Sequence, residues 1–168
     1  MRLYLFSNAY ETIPEIVECS WAELVEILGP HEFTQADKND SPAFSPAEYA
    51  PGTVQKLAAN VLQLHLFVLD VDKASEEQVL ASCQTLEDLG LAAVVYTSWS
   101  HAAKPWSVRV VIPLSQPVLA SEWAEFWSRA NAIFENIGDP KCKNVDRIYY
   151  RPFAPGGTED QHFRLVFD

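Results

Sequence analysis

The first third of the chain has a pattern of apolar positions that predicts one strand, one helix and one long loop. The segment RLYLF at 2–6 is typical of a short strand. Ser20 and Glu23 form a capping-box pattern that opens an apolar-striped helix, and the Gly-Pro pair at 29–30 ends it. Positions 34–52 are rich in Pro, Ser, Asp and Asn and have no apolar period. They therefore predict a long loop, of the kind that is often functional.

The middle of the chain predicts a buried strand followed by an amphipathic helix. The run VLQLHLFVLDV at 61–71 is almost continuously apolar and too short for a solvent-facing helix. It predicts a strand that lies centrally in a sheet and is buried on both faces. Ser75 and Gln78 form a second capping pattern, and Gly90 ends the helix that starts there. The predicted buried face of this helix consists of Val79, Leu80, Cys83 and Leu86.

Two further strands and a third helix are predicted after Gly90. The segments AAVVYTS at 92–98 and SVRVVIPL at 107–114 are typical of strands, and the loop WSHAAKPW joins them. Ser121 is predicted to open a helix that runs up to Gly138. We interpret its apolar stripe as core packing and not as a platform on which bases stack. The stripe consists of Trp123, Phe126, Trp127, Ala130, Ile133, Phe134 and Ile137.

The last part of the chain predicts a loop and two short strands. The segment DPKCKNVDRIYYRP, which follows Gly138, predicts a loop that runs into a short strand, and FRLVFD at 163–168 predicts a strand that stops with the chain. Such an ending is typical of a domain cut from a longer polypeptide, and a compact protein that ends in an edge strand is the alternative. We expect one domain over 1–168.

Length and composition indicate a soluble, intracellular domain. A chain of 168 residues, 48% of them apolar, can bury one sizeable core and is too short for two full domains. The amino terminus has no signal-peptide pattern, and no apolar run approaches the roughly 20 residues that span a bilayer, so no membrane partner is expected. Cys19, Cys83 and Cys142 are odd in number and have no CxxC spacing, which favours a reducing, cytoplasmic compartment.

The charge of the chain limits how it can bind nucleic acid. The formal net charge of -11 argues against a surface that binds DNA everywhere, because phosphate contacts need Lys and Arg. Positions 3–37 contain no Lys or Arg, so a local basic track is compatible only with the later part of the chain. Lys38 and Lys56, near the predicted loop, are interpreted as solvated. The basic residues of the second half include Lys104, Arg109, Arg129, Lys141, Lys143, Arg147 and Arg151.

Asp70 and Asp72 are the first candidates for chemistry. They end the predicted buried strand with one residue between them, so strand alternation directs both carboxylates to the same side. Two such carboxylates repel unless a cation neutralises them, and hard oxygen ligands favour Mg²⁺ or Mn²⁺ over zinc. The alternative is that one carboxylate caps the next helix and the other is solvated.

The loop after the strand at 92–98 is a candidate phosphate-binding segment. Ser98, Ser100 and His101 lie within four residues there, and hydroxyl and imidazole groups can hold phosphate oxygens. Lys104 and Arg109 would add positive charge nearby. The alternative is a surface histidine without a ligand. The other histidines, His31, His65 and His162, have no comparable setting, and His65 is interpreted as a hydrogen-bonded core residue.

A third carboxylate would complete a site for two metal ions. Asp139 begins the loop after the third predicted helix, Arg147 stands eight residues later, and Asp146 is a rival third ligand. In two-metal catalysis one ion lowers the pKa of an attacking hydroxyl and the other stabilises the leaving group. Phosphoryl transfer of this kind needs positioning and charge neutralisation more than covalent chemistry.

Three segments together resemble the archaeo-eukaryotic primase superfamily. They are LFVLDVD, TSWSH with SVRVVIPLSQP, and DPKCKNVDRIYYRP, which stand in the order of that family's three motifs. The likeness is closest to primase-polymerase domains of plasmid, phage and other mobile-element replication proteins, and it covers about 55–155. It implies an α/β (α+β) fold, a two-layer catalytic core with a central mixed sheet flanked by helices.

The resemblance also implies metal ligands. In the family the paired acids of the first motif and the Asp of the third bind the catalytic metals. This implies that Asp70, Asp72 and Asp139 bind Mg²⁺ or Mn²⁺. The family's third motif has a basic residue at this spacing after its Asp, which implies Asp139 together with Arg147.

The nucleotide contacts follow from the second motif, whose His contacts the phosphates of the incoming nucleotide. This implies His101, and the following strand makes Arg109 a candidate phosphate contact. Two positions depart from the family pattern. Its small residue lies two positions before the His, where this chain has Trp99, so Ser98 and Ser100 are both candidates. In the third motif a glycine replaces the apolar residue before the Asp, whereas an apolar residue precedes Asp146, which stays an alternative.

The implied activity is that of a DNA primase or polymerase. It would carry out template-directed nucleotidyl transfer from NTP or dNTP on single-stranded DNA during replication of a mobile element, with a helicase or another replication domain as a further partner. A non-catalytic module that binds nucleotide or single-stranded DNA is the first alternative, which the negative charge favours. A metal-dependent nuclease or phosphohydrolase is the second.

Overall fold

The computed structural model describes residues 1–53, 56–72, 74–104 and 106–168. The α-helices are α1 (Trp21–Ile27), α2 (Glu76–Leu89) and α3 (Trp123–Ile133). The strands are β1 (Arg2–Phe6), β2 (Glu15–Glu18), β3 (Glu32–Thr34), β4 (Ala43–Ser45), β5 (Ala47–Tyr49), β6 (Val61–Val71), β7 (Ala93–Thr97), β8 (Val108–Leu119), β9 (Tyr149–Tyr150), β10 (Phe153–Pro155) and β11 (Arg164–Phe167). Short 3-10 helices are Lys38–Asp40, Ala58–Asn60, Pro140–Lys143 and Glu159–Gln161. Gln55, where the motif-bearing core was predicted to begin, and Pro105 of the WSHAAKPW loop lie outside the described residues.

Two antiparallel sheets form the framework. One has five strands in the order β11-β7-β8-β6-β5, and the other has four in the order β2-β1-β4-β9. The predicted α+β class is confirmed, but the prediction of a mixed central sheet is wrong, because each neighbouring pair of the five-stranded sheet is antiparallel. The crossover through α2 leaves β6 and β7 parallel to each other, and β8 lies between them in the opposite direction. The described parallel pair, β3 with β10, is outside this sheet.

The predicted buried strand is β6, which lies between β5 and β8, one place from the middle of the sheet. Its carboxyl-terminal half, from Leu66 to Val71, is buried, whereas Leu62 near its start is exposed. The register with β8 shifts between Leu64 and Leu66. The prediction of burial on both faces therefore holds for the half of β6 that leads to the acidic residues.

Helix α3 packs on one face of the five-stranded sheet, and α2 lies beside the end of α3, where both line a small cavity. Phe67 of β6 contacts the rings of Phe126, Trp127 and Phe134 at centroid distances of 6.3, 6.2 and 6.3 Å. The indole Nε1 of Trp127 donates a hydrogen bond of 3.1 Å to the carbonyl of Val68. The tryptophans of α3 are buried, so the prediction that they form core and not a base-stacking surface is confirmed.

The opposite face of the five-stranded sheet carries the four-stranded sheet and α1. Arg109 of β8 lies near the ring of Tyr149 in β9, at 5.3 Å from its centroid. Arg164 of β11 donates from Nη2 to the carbonyl of Val25 at 2.7 Å, and its Nε donates to the carbonyl of Leu28, which ties α1 to the same face. Polar groups on this face therefore lie between two layers.

Several boundaries predicted from the sequence are confirmed. Strand β1 covers the predicted positions, and Ser20 and Ser75 cap α1 and α2 in complete capping boxes. Gly90 ends α2 in the left-handed conformation, with φ of 59°. His65 is hydrogen-bonded, as predicted, because its Nε2 lies 3.0 Å from Oε2 of Glu48, and it is partly buried. In the described part of the chain no helix is long and apolar enough to cross a bilayer.

Other predictions from the pattern are wrong. The segment predicted as a loop at 34–52 contains β4 and β5, whose apolar residues are too few to show a period but are buried. Leu80, predicted on the buried face of α2, is exposed, as is Ile133 of α3. Helix α3 begins after Glu122 without a side-chain cap, so Ser121 does not open it. It ends before Glu135, whose φ of 55° is incompatible with a continued helix.

Lys56 is also not solvated as predicted. Its Nζ donates to the carbonyl of Ala9 at 2.9 Å and to the carbonyl of Glu11, and it lies 4.4 Å from the ring centroid of Phe6. This lysine joins the segment before β6 to the chain after β1, so its role is structural.

Candidate active site

Asp70 is held in the interior by the strand opposite to it. In the antiparallel register of β6 and β8, Asp70 is the direct partner of Arg109, and Arg109 is the direct partner of Tyr96 in β7. The exposed fractions of Asp70 and Arg109 are 6% and 5%. Arg109 donates from Nε and Nη2 to Oδ1 of Asp70 at 3.1 and 2.7 Å. Its Nη1 donates to the carbonyl of Tyr150 at 2.7 Å. The guanidinium is therefore surrounded by acceptors from three strands.

Asp139 joins Asp70 through the loop that follows α3. The amide of Asp139 donates to the carbonyl of Asp70 at 2.8 Å. Nη2 of Arg147 donates to Oδ2 of Asp70 at 3.0 Å and to Oδ2 of Asp139 at 3.1 Å. Oδ1 of Asp139 accepts from the amide of Lys141 at 3.0 Å, which fixes its side chain at the start of a 3-10 helix. One guanidinium nitrogen thus bridges two carboxylates from separate elements.

Gly138 explains how the loop can come so close to β6. An added Cβ at this position would lie 2.4 Å from Cδ1 of Leu69 and 2.8 Å from Oδ1 of Asn131. The same Oδ1 accepts a hydrogen bond of 3.0 Å from the amide of Gly138. The apolar residue that the family pattern has here would not fit, so the glycine is what allows Asp139 to reach Asp70.

The buried charged groups shift one another's pKa values. Burial alone would raise the pKa of Asp70, but the guanidiniums of Arg109 and Arg147 outweigh burial and hold its pKa below the ordinary value. Burial alone would lower the pKa of Arg109, and the charge of Asp70 outweighs it and raises that pKa. Asp70 is therefore a carboxylate at neutral pH, and both of its oxygens are occupied by cationic side chains.

Asp72 is exposed and lines a groove next to this buried cluster. The acidic groove has a volume of about 430 Å³. Its lining includes Asp72, Lys104, Gly138, Asp139 and Lys141. Of the two candidates for a third carboxylate, Asp139 and not Asp146 is brought to Asp70. In the described part of the chain Asp146 makes no hydrogen bond or ion pair with Asp70 or Arg147, and it interacts electrostatically with Tyr49.

Asp70 and Asp139 are the carboxylates that could hold the divalent metal that the fold family implies. Within the described ranges no group of three or more His, Cys, Asp or Glu side chains is already placed to hold a metal ion. However, an oxygen of Asp70 and an oxygen of Asp139 converge on the same cationic nitrogen of Arg147. Oxygen donors that converge on one positive charge suit Mg²⁺ or Mn²⁺. The donor set fits such an ion, provided that Arg147 turns away.

The described residues of the predicted phosphate-binding loop form no hydrogen bond or ion pair with the carboxylates. Among the described residues, His101, Ser98 and Ser100 make no hydrogen bond with Asp70, Asp72 or Asp139. Ser98 is buried, and its amide donates to the carbonyl of Ser107. Ser100 lines a second recess, of about 540 Å³, that shares Lys104 with the acidic groove. Lys104 therefore places one end of this loop beside the acidic groove.

His101 belongs to a histidine cluster that the sequence did not predict. Its ring lies 5.6 Å from that of His162, which lies 5.0 Å from that of His31. Oγ1 of Thr97, at the end of β7, lies 2.8 Å from Nδ1 of His162 and 3.1 Å from Nε2 of His31. Nδ1 of His101 and Nε2 of His162 are buried and have no hydrogen-bond partner in the described part of the chain.

The histidine cluster is neutral at physiological pH. Burial lowers the pKa of His31 and of His101, and it lowers the pKa of His162 to about 4, with His31 and His101 adding to the effect. No motif spacing signals this cluster, because its members come from three separate segments of the chain.

Lys38 is the second feature that sequence reasoning missed. It was interpreted as solvated, but its Nζ lies 5.2 Å from the ring centroid of Tyr150, and the residue is half-buried. Lys38 begins a 3-10 helix inside the segment predicted as a long loop. Lys38 lies between two short strands, and nothing in the local sequence signals that such a basic residue faces a site.

Comparisons with known proteins identify a matching family and a solved structure with the same fold. A sequence model of the VapE N-terminal domain matches residues 34–163. Among solved structures, the AEP domain of the cyanophage S-2L primase-polymerase matches with a TM-score of 0.55 at 10% identity, over 99% of this chain and 80% of that chain. The polymerase domain of Mycobacterium tuberculosis ligase D, in complex with DNA, matches with a TM-score of 0.48 at 14% identity, over 90% of this chain and 57% of that chain. No curated protein sequence matches.

Proposed function

The chain belongs to the VapE N-terminal domain family and has the fold of a primase-polymerase domain, and from this we propose that it is a DNA-directed primase-polymerase. The observation that carries the proposal is the convergence of Asp70 and Asp139 on one cation beside the groove that Asp72 lines. In the proposed reaction a primer 3′-hydroxyl, or the hydroxyl of an initiating nucleotide, attacks the α-phosphate of an NTP or dNTP. Pyrophosphate leaves, and no protein nucleophile is needed.

Asp70, Asp72 and Asp139 are the proposed ligands of Mg²⁺ or Mn²⁺. When bound, such ions lower the pKa of the attacking hydroxyl and neutralise the leaving pyrophosphate. Nη2 of Arg147 occupies the position on which the oxygens of Asp70 and Asp139 converge. For a metal ion to bind there, Arg147 would turn away from the two carboxylates. Its guanidinium is then free to donate to the triphosphate, for which its planar set of donors is suited.

Arg109 has a different proposed role from the one the resemblance implies. It is almost fully buried, and its donors are directed to Asp70, Tyr96 and Tyr150. A guanidinium in that setting orients Asp70 and does not reach a phosphate in the groove. We therefore assign Arg109 as a positioning residue, which holds one carboxylate oxygen so that the other faces Asp139.

His101, Ser98 and Ser100 remain the proposed contacts of the triphosphate. Ser100 and Lys104 line the recess that adjoins the acidic groove, which supports a path for phosphates between the two. The buried, unpaired Nδ1 of His101 is a hydrogen-bonding atom without a partner in the described part of the chain. Such an atom costs free energy unless a ligand or water pairs with it, which supports a ligand-binding role.

The proposed polymer substrate is a single-stranded DNA template, and a helicase or another replication domain is a proposed partner. The net charge of -11 requires that DNA binding be local. The cations around the groove, Lys38, Lys104 and Lys141, support such a local contact.

Incorporation of labelled NTP or dNTP on single-stranded DNA tests the proposal, with Mg²⁺ or Mn²⁺ and with and without a primer. The informative variant is Asp72→Asn, because Asp72 is exposed and its loss should not unfold the protein. Asp160→Asn, an exposed acid in the 3-10 helix Glu159–Gln161, is the matched control. We expect template-dependent product from wild type and the control and none from Asp72→Asn. Equal synthesis by Asp72→Asn would refute the proposed site.

One observation favours a second candidate, a non-catalytic module that binds nucleotide or single-stranded DNA. Both oxygens of Asp70 already accept from arginines, and the described residues hold no preformed metal cluster. This candidate predicts binding of a nucleoside triphosphate or DNA by wild type without product in either metal. Degradation of DNA or nucleotide without a template would instead indicate a nuclease or phosphohydrolase.

A further inference from the structure

Lys38 is a partly desolvated cation that pairs with no carboxylate in the described part of the chain. Its side chain is half-buried, and its Nζ lies over the ring of Tyr150. It forms no ion pair with a carboxylate of the described residues. Surface lysines normally extend into water, where the ammonium is strongly hydrated. An ammonium that stays half-buried on an aromatic face is kept in one place.

Tyr150 is a rigid support for this ammonium. Its hydroxyl donates to Oδ1 of Asn39 at 2.6 Å, and its carbonyl accepts from the hydroxyl of Tyr96 at 2.8 Å and from Nη1 of Arg109 at 2.7 Å. The ring is therefore fixed from both ends. Because Asn39 directly follows Lys38, the same hydrogen bond also fixes the 3-10 helix that carries the lysine.

The charges around Lys38 are those of the acidic groove. Its ammonium interacts favourably with Asp70 and Asp72 and unfavourably with Arg109 and Lys104. Both oxygens of Asp70 are already occupied by the two arginines, so this carboxylate has no free oxygen for a third cation. Burial lowers the pKa of Lys38, and the charge of Arg109 lowers it further against the pull of the two aspartates. Lys38 is thus a positive group at the groove that is not paired with a carboxylate of the described residues.

We propose that Lys38 binds a phosphate group of a substrate at the acidic groove, with Tyr150 as the platform that holds its ammonium in place. Phosphate oxygens are the chemistry that a fixed, partly desolvated ammonium without a carboxylate partner recognises. The phosphate belongs either to the nucleotide or to the DNA strand. The inference rests on the proposed function in that both concern the same groove.

The test compares Lys38→Met, which keeps the apolar stem and removes the charge, with Lys38→Arg and wild type. Lys143→Met is the matched control, because Lys143 also lies over an aromatic ring, that of Trp127, but is exposed and does not line the acidic groove. Calorimetry measures binding of a non-hydrolysable α,β-methylene nucleoside triphosphate with Mg²⁺. Fluorescence anisotropy measures binding of a labelled oligothymidylate. Thermal unfolding establishes that each variant is folded.

We expect Lys38→Met to lower the affinity for one of the two ligands by about tenfold, the usual effect of a lost charge-assisted contact. Lys38→Arg should restore part of that affinity. Loss confined to the nucleotide analogue assigns the phosphate to the nucleotide, and loss confined to the oligonucleotide assigns it to DNA. Unchanged binding of both ligands by a folded Lys38→Met protein overturns the proposal. So does an equal loss in Lys143→Met.

The result separates the inference from the proposed function. If wild type synthesises DNA while Lys38→Met binds both ligands normally, only the role of Lys38 fails. If Lys38→Met loses binding while wild type yields no product in either metal, the phosphate site stands and the polymerase proposal fails. If wild type binds neither ligand, both fail.

Discussion

Arg109 donates two hydrogen bonds to one oxygen of Asp70, at 3.1 and 2.7 Å, from the directly opposite position on the neighbouring antiparallel strand. Both side chains are almost fully buried. The pair leaves the second oxygen of Asp70 for Arg147, which also donates to Asp139. Asp70 is therefore a structural residue as well as a proposed metal ligand. Measurements of stability test the first role, and measurements of metal binding and activity test the second.

The first prediction concerns stability. Asp70→Ala leaves the guanidinium of Arg109 buried without its carboxylate, so we expect a loss of about 3 to 5 kcal/mol in the free energy of unfolding. Replacing both partners, as Asp70→Leu with Arg109→Met, removes the unpaired charge and should cost much less. Urea denaturation measures both. A double variant as unstable as Asp70→Ala would contradict this account of the pair.

The second prediction concerns metal binding without substrate. Arg147 occupies the point on which Asp70 and Asp139 converge, so Arg147→Gln should bind Mn²⁺ more tightly than wild type, on the order of tenfold, since it removes a competing cation. The same variant should bind a nucleoside triphosphate more weakly. Electron paramagnetic resonance of free Mn²⁺ measures the first effect. Arg129→Gln, which loses only an exposed pair with Glu125, is the control and should bind Mn²⁺ as wild type does.

The third prediction decides between two carboxylates. Asp139 shares Arg147 with Asp70, whereas Asp146 does not, so Asp139→Asn should reduce nucleotide incorporation by about a hundredfold or more and Asp146→Asn should not. Both variants keep a side chain of the same size. The reverse order of activities would move the third proposed ligand to Asp146.

The fourth prediction concerns Gly138. A Cβ there meets Cδ1 of Leu69 and Oδ1 of Asn131, so Gly138→Ala should cost about 1 to 3 kcal/mol through overpacking and should displace Asp139 from Asp70. Because the shortest contact is with the flexible end of Leu69, the added cost should be smaller in a Leu69→Ala background. Chemical denaturation of the four proteins gives this coupling, and a cost unaffected by Leu69→Ala would show that the strain lies elsewhere.

The fifth prediction concerns pH. Burial, together with His31 and His101, lowers the pKa of His162 from its ordinary 6.5 to about 4 against the opposing charge of Glu159. Between these values the unfolded chain binds a proton that the folded protein does not. The contribution to stability is therefore fully present above 6.5 and is lost as the pH falls towards 4.

After allowance for the partial exposure of the ring, the loss due to His162 is on the order of 1 to 2 kcal/mol. Urea denaturation at neutral pH and near pH 5 measures it, in wild type and in His162→Gln. The variant starts from a lower stability, because it loses the contact with Thr97, but its stability should change less between the two pH values. An equal change in both proteins would exclude His162 as the source.

The sequence was sufficient for the elements that are signalled locally. The capping pairs of Ser20 and Ser75 lie within one turn of the groups they bind, and the apolar run of β6 is continuous, so neighbouring residues determine both. It was insufficient for β4 and β5, which are too short to show a period and are strands because β1 and β6 pair with them. The mixed sheet that the resemblance implied is wrong, and the sequence pattern could not correct it, because a helical crossover does not reveal which strand will be inserted between the two that it connects.

For the site, the sequence by itself placed Asp70 and Asp72 at the end of a buried strand, since alternation and the apolar run are local properties. Tertiary structure alone decided which partners they have. The antiparallel register set Arg109 opposite Asp70, the absence of a side chain at Gly138 let Asp139 approach, and the packing of distant segments brought Lys38 to Tyr150 and His31 to His162. Such contacts join residues far apart in the chain, and their energies depend on burial and pairing, which exist only once the layers have packed together.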